Sequence, residues 1–187
     1  RDVAIARMEE IVTSEEALIA AGGYPAVHGN SYLGVDWYLG NLARVYDWAY
    51  DGLTEQQKAR WIAYGNQAMW NVWKAPGNAT SGMMGQCGGR NHRWSGWATD
   101  NPANNYYRHF INAGMQLGLA THGDNPQAAE WLDIFRNQKI ERELIPVLNN
   151  KVQGGGSTEG TGYGTSTRTL WTVYDTWERS TGERLAD

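Results

Sequence analysis

The stretch NPANNYYRHFINAGMQLGLATHGDNP, residues 101–126, decides the fold. Tyr107, Phe110, Ile111, Gly114, Leu117 and Gly118 recur in steps of three and four, the period of one helix face. Asn101-Pro102 supplies a cap and then a proline at the first helical position, where its missing N–H is not needed, so the spacing predicts a helix from about 102 to 122. Asn125-Pro126 repeats the device. Trp131, Leu132, Phe135, Leu144 and Leu148 carry the next helix to about residue 149, with Pro146 expected to kink or end it.

Working outward, Val35, Tyr38, Leu39, Leu42, Val45, Tyr46 and Ala49 mark one face of a helix from about 32 to 51, stopped by Gly52. Thr54 with Gln57 is a capping box for a helix reaching about residue 74, before Pro76. Residues 2–21 read as helix, with a second start expected where Thr13 and Glu16 repeat the capping-box spacing. Leu170, Val173, Tyr174 and Trp177 define a last helix ending before Gly182. No segment alternates long enough to be a strand. The expectation is an all-α single domain over 1–187, its helices paired as antiparallel hairpins by the short connections at 51–54 and 122–126. Two long connections, 75–100 and 150–165, are expected to meet at one end of the helices, as segments of that length inside a domain usually carry function.

Composition narrows the classes. A chain of 187 residues fits one domain, and a net charge of −4 argues against a nucleic-acid protein that relies on an overall positive field. The single cysteine, Cys87, excludes an intrachain disulfide and makes a cysteine-based zinc site implausible. The four histidines lack metal-site spacing, so neither a metal nor a cofactor is expected. No apolar run approaches the ~18 residues of a membrane span, and no signal-peptide layout precedes the first helix. Arg1 opens directly on a helical pattern without an initiator Met, which reads as a mature product or a fragment. The chain has 10 Trp and 10 Tyr against 2 Phe. Such rings, apolar with a polar tip, suit a wet core or a sugar-binding wall.

Chemistry concentrates in the long connections. Between Arg90 and His109 the residues Arg90, His92, Arg93, Arg108 and His109 face one acid, Asp100, so this part is locally positive and attracts an anionic ligand. Trp94, Trp97, Tyr106 and Tyr107 are interleaved with these cations. Asn105, Arg108, His109 and Asn112 form a polar stripe, a pattern most simply read as solvent-facing, although it begins at a helix N-terminus that favours an anion. The segment GGGSTEGTGYG, residues 154–164, has six glycines but neither the lysine nor the preceding strand of a phosphate loop. Glu159 and Tyr163 are its groups suited to proton transfer.

Four motifs, in order, are VYDWAYDGLTE at 45–55, NNYY at 104–107, GDNP at 123–126 and GSTEGTGYG at 156–164. Together they resemble heparinase II/III-like polysaccharide lyases and their oligo-alginate lyase relatives, over roughly residues 32–178. The resemblance implies antiparallel hairpins forming part of an (α/α) toroid, often followed by a β-sandwich, in a secreted or periplasmic bacterial enzyme. It implies cleavage of a uronic-acid-containing anionic polysaccharide by β-elimination, with no cofactor. The carboxylate ligand of the family maps to Asn105 or Asn104 and its proton-transferring tyrosine to Tyr163, with His92 or Arg93 in support. The family's Asn-His pair appears here as Asn104-Asn105. Substrate contacts are expected from Arg90, Trp94, Trp97, Tyr107, Arg108, His109 and Glu159. Two other readings stand beside it: a toroidal glycoside hydrolase using Asp100 and Glu159, and a glycan-binding helical module without catalysis.

Overall fold

A computed structural model describes residues 1–21, 27, 34–73, 99–152, 154, 156, 159–160 and 164–185. Among these the chain is helical and holds no strand, as the hydrophobic period requires. Helix α1 is Asp2–Ala20. Helix α2 begins with wide π-type turns over Asp36–Gly40 and runs on as Asn41–Trp48. Helix α3 is Glu55–Trp73 and α4 is Asn105–Ala120. Helix α5 joins Ala128–Asp133, a π-type stretch Ile134–Leu144, and Ile145–Lys151. Helix α6 is Gly164–Thr181.

The capping box at α3 forms: Thr54 N–H donates to Gln57 Oε1 at 3.0 Å and Gln57 N–H to Thr54 Oγ1 at 3.2 Å. Its twin in α1 does not, and α1 runs unbroken. Thr13 Oγ1 and Glu16 instead receive the Arg60 guanidinium of α3, so a tertiary contact takes the groups a local cap would have used. The start of α4 is also corrected. Asn101 closes a turn, accepting from Ala103 N–H at 3.2 Å, and the cap is Asn104, whose side chain accepts from Tyr106 N–H at 2.9 Å. Pro146 neither breaks nor ends α5, which passes through wide turns into Ile145–Lys151.

Residue pairings fix the helix directions. Met69 lies against Gly114, Leu117 against Gly65, and the Trp73 and Phe110 rings are 5.9 Å apart, so α3 and α4 are antiparallel. Gly118 meets Leu132 and Ala128 while Tyr107 OH donates to the Lys139 carbonyl, so α4 and α5 are antiparallel too. Asp36 reaches His109 and Asn112, Glu159 just ahead of α6 bonds Asn105 at the start of α4, and further along Arg44 and Gln116 share a groove with Thr172 and Thr176, so α2, α4 and α6 run the same way. Behind them Trp61 bonds Glu9 and Tyr64 bonds Glu15, so α1 and α3 are parallel, and α5, antiparallel to α4 as α3 is, completes a second parallel row. The two rows are opposed in direction, joined through hairpins at 49–54 and 121–127 at one end. The longer connections leading into α2, α4 and α6 therefore start and finish at the other end.

The core between the rows is aromatic. Trp61, Trp70, Trp73, Trp131 and Trp177 are buried. Each indole N–H has an acceptor: Glu9 at 2.8 Å, Gln127 at 2.7 Å, Asp100 at 2.7 Å, Asn66 at 2.9 Å and Glu183 at 2.8 Å respectively. A Trp-rich interior is tolerable for that reason, since each polar tip is satisfied as the ring leaves water. Trp37, Trp48 and Trp171 are exposed.

Close approach of α4 to α5 depends on Gly118. A Cβ there would stand 2.8 Å from Leu132 Cδ2, 2.9 Å from its Cγ and 3.3 Å from the Ala128 carbonyl oxygen. Gly118→Ala is expected to destabilise the fold by about 1–3 kcal/mol through overpacking. Gly123→Ala is the control, because a Cβ at Gly123 meets nothing within 4 Å. Urea unfolding of both variants checks the difference.

Candidate functional site

The end where the long connections arrive is built around the first turns of α4. Asn104 caps the helix through its side chain, leaving the Asn105 N–H to an outside acceptor. That acceptor is Glu159, whose Oε2 lies 2.7 Å away. A carboxylate from the second glycine-rich segment thus occupies the positive end of α4, where the helix dipole favours it. The anion site expected at this N-terminus is filled by the chain's own acid, so recognition of a further anion falls to side chains.

Those side chains form the stripe along α4, and the stripe faces inward. Arg108, Asn112 and Gln116 are buried, while Asn105 and His109 are half-buried. Burial pushes the Arg108 guanidinium down from its usual range, and the neighbouring Glu159 carboxylate and Tyr174 of α6 oppose this. Burial also raises the Tyr174 phenol, and Arg108 partly offsets it. Arg108 accordingly acts as an internal cation beside Glu159, rather than as the solvated steering charge its sequence context implies. The Asn105 carboxamide has no hydrogen bond among the described residues and shares its helix face with His109 one turn on.

One residue that sequence reasoning misses organises the opposite side. Asp36, in the first turn of α2, accepts from Asn112 Nδ2 at 2.8 Å and from Arg44 Nη2 at 3.3 Å, and meets His109 Nδ1 at 3.2 Å. Asn41 Oδ1 holds Arg44 at 2.8 Å, and Gln116 Nε2 donates to Asn112 Oδ1 at 2.9 Å. The only sequence signal for Asp36 is a polar residue in the otherwise apolar run Val35-Asp36-Trp37-Tyr38-Leu39. Tyr174 carries no signal beyond its place on an apolar face.

The remaining expectations divide. Tyr107 is fully enclosed in the core, its hydroxyl donating to the Lys139 carbonyl, so it lies beyond the reach of a sugar. Above it Lys139, 1% exposed, donates to Asp100 Oδ1 at 2.7 Å, Glu143 Oε2 at 2.9 Å and the Thr99 carbonyl at 3.0 Å. Its ammonium also sits 4.9 Å from the centre of the Trp73 ring. Asp100 is therefore engaged by Lys139 and Trp73 in fastening the entry to α4. Tyr163, His92, Arg90, Arg93, Trp94 and Trp97 lie outside the described residues, as do Cys87 and His28. Asn104, Asn105, Arg108, His109 and Glu159 come together at one end of α4.

Among the described residues no group of three or more His, Cys, Asp or Glu side chains could hold a metal ion, and no helix is long and apolar enough to cross a membrane. Compared with known proteins, the chain matches no family model, no curated protein and no solved structure.

Proposed function

We propose that the chain is the helical part of a polysaccharide lyase that cleaves a uronic-acid-containing anionic polysaccharide by β-elimination, its hairpins forming part of an (α/α) toroid. The observation that carries this reading is the 2.7 Å contact between Asn105 N–H and Glu159. It ties the second glycine-rich segment to Asn105, one of the two asparagines to which the resemblance maps the ligand of the substrate carboxylate. The two opposed rows of parallel helices support the toroid part of the reading, since a toroid repeats that hairpin. In the elimination, charge builds on the uronate carboxylate as the C5 proton leaves, so donors aimed at that carboxylate stabilise the transition state more than the ground state. Asn105 supplies such a donor in this reading, with Arg108 as the cation behind it and Tyr163 transferring protons. The remainder of the toroid and a β-sandwich belong to the same proposal, as does a secreted or periplasmic location.

The hydrolase alternative is weaker on this geometry. Hydrolysis needs two carboxylates placed across the bond. Asp100 is committed to Lys139 and Trp73, and Glu159 to the start of α4.

Product analysis after incubation with alginate, heparan sulfate, chondroitin and hyaluronan decides among the readings. A 4,5-unsaturated uronate end is expected. A saturated reducing end assigns a hydrolase instead, and binding without product assigns a glycan-binding module. Binding of uronate oligosaccharides is expected to weaken as salt rises, because charges near Arg90, His92 and Arg93 act over about a Debye length, ~8 Å at physiological salt. An affinity that stays flat between low and high salt contradicts the steering role of those cations.

A further inference from the structure

Asp36 has more partners than a helix-end acid needs, and all of them bear on one ring. Its Oδ2 meets His109 Nδ1 at 3.2 Å, and Asn112 and Arg44 fix its Oδ1 at 2.8 Å and 3.3 Å. Gly40 makes room for it, since a Cβ there would stand 2.5 Å from Asp36 Oδ1. A carboxylate only accepts, so the shared proton belongs to Nδ1, and the neutral ring then carries its lone pair on Nε2. The ring is oriented from behind yet keeps 26% of its side-chain surface exposed, against 19% for Asp36. Among the described residues the Asp36 contact is the side-chain hydrogen bond of this ring, and Nε2 is left without a protein partner.

We propose that His109 is a catalytic proton-transfer residue of this site and that Asp36 is its positioning residue. The inference rests on the lyase reading, and it deepens that reading by giving the described residues a base of their own. His109 lies one turn after Asn105, so the two side chains are neighbours on α4. A uronate whose carboxylate is held by Asn105 presents its adjacent C5 to the imidazole. In the reaction the C5–H bond breaks and its proton passes to His109 Nε2. The electron pair left on C5 forms the C4=C5 double bond as the C4–O4 bond breaks. The departing O4 takes a proton from Tyr163, the proton-transferring phenol of the lyase reading, and the imidazolium returns the C5 proton to that phenolate. The ring ends neutral, so no other reactant is consumed.

The test uses the same four polysaccharides with the intact protein, monitoring the ultraviolet absorbance of the unsaturated product. His109→Ala and His109→Asn are both expected to lower kcat by about 10²–10⁴-fold, the usual worth of a general acid or base. Asn retains an N–H near the Nδ1 position for Asp36 but takes up no proton, so it rescues a structural histidine and not a catalytic one. Added imidazole is expected to restore part of the activity of His109→Ala. Asp36→Asn and Gly40→Ala are expected to lower kcat while leaving KM close to wild type. The ¹⁵N signature of the ring should show Nδ1 protonated in the wild type and lose that preference in Asp36→Asn. Wild-type turnover in folded His109→Asn overturns the proposal and leaves the lyase reading standing. A wild-type protein that releases no unsaturated product from any of the four polymers removes the lyase reading, and this proposal with it.

Discussion

Trp131→Ala should destabilise the protein by about 3–5 kcal/mol, the range for removing a large ring from a packed core. The ring is 1% exposed and stands 4.4 Å from that of Trp70. Its indole N–H also terminates a buried polar knot. Asn66 Oδ1 accepts from Trp131 at 2.9 Å and from Asn125 Nδ2 at 3.1 Å, while Asn66 Nδ2 returns a bond to Asn125 Oδ1 at 2.9 Å. Asn125 in turn holds Thr121 Oγ1 at 2.9 Å and receives the Gln127 N–H at 2.9 Å, so the α4–α5 hairpin is anchored to α3 through this knot. At roughly 2–4 °C per kcal/mol for a chain of this size, the melting temperature should fall by about 6–20 °C. Trp131→Phe separates the two contributions, because it keeps most of the ring and removes one donor, for about 1 kcal/mol. Thermal denaturation monitored by circular dichroism measures both. A Trp131→Ala protein that melts within a degree or two of wild type would show that the knot and the ring stack do not organise the hairpin.

Helix faces are legible in the sequence because burial and period are the same fact: Tyr107, Phe110, Ile111 and Leu117 recur where one side of α4 meets the core. The Thr54–Gln57 box is legible because both of its partners are local. Thr13 and Glu16 have the same spacing but form no cap, since Arg60 lies 44 residues from Glu16 and its guanidinium competes for both side chains. Helix α4 starts after Asn104 rather than Asn101 because Asn-Pro is as good a turn as it is a cap, and tertiary contacts decide between them. At the site, Asn105, Arg108 and His109 are visible as a stripe, but the direction in which it faces is not. Periodicity reports that side chains share a face and is silent on what covers it. Asp36 and Tyr174, the groups that turn the stripe into an interior, come from helices distant along the chain, and a carboxylate in an apolar run has no local mark of its partners.

Asn105→Ala is the substitution that most directly weighs the proposed chemistry. The structural contacts at this position run through the backbone: its N–H goes to Glu159, and the cap beside it belongs to the Asn104 side chain. Alanine preserves both and is the better helix former, so stability should change little. Turnover should fall by about 10²–10³-fold if the carboxamide faces the charge that grows on the uronate carboxylate, by analogy with the loss of one oxyanion-hole donor. Tyr163→Phe is expected to behave in parallel, keeping oligosaccharide binding and losing turnover, because a phenol that only packs gives up about 1 kcal/mol of stability and no chemistry when its hydroxyl goes. Asn104→Ala supplies the contrast. It removes the cap of α4, so it should cost about 1 kcal/mol of stability and reach turnover only through the loosened helix start. Steady-state kinetics and melting curves on the three variants therefore give opposite patterns for a carboxylate ligand and for a cap. Folded Asn105→Ala at wild-type kcat would remove the carboxylate-binding role from the Asn105 side chain.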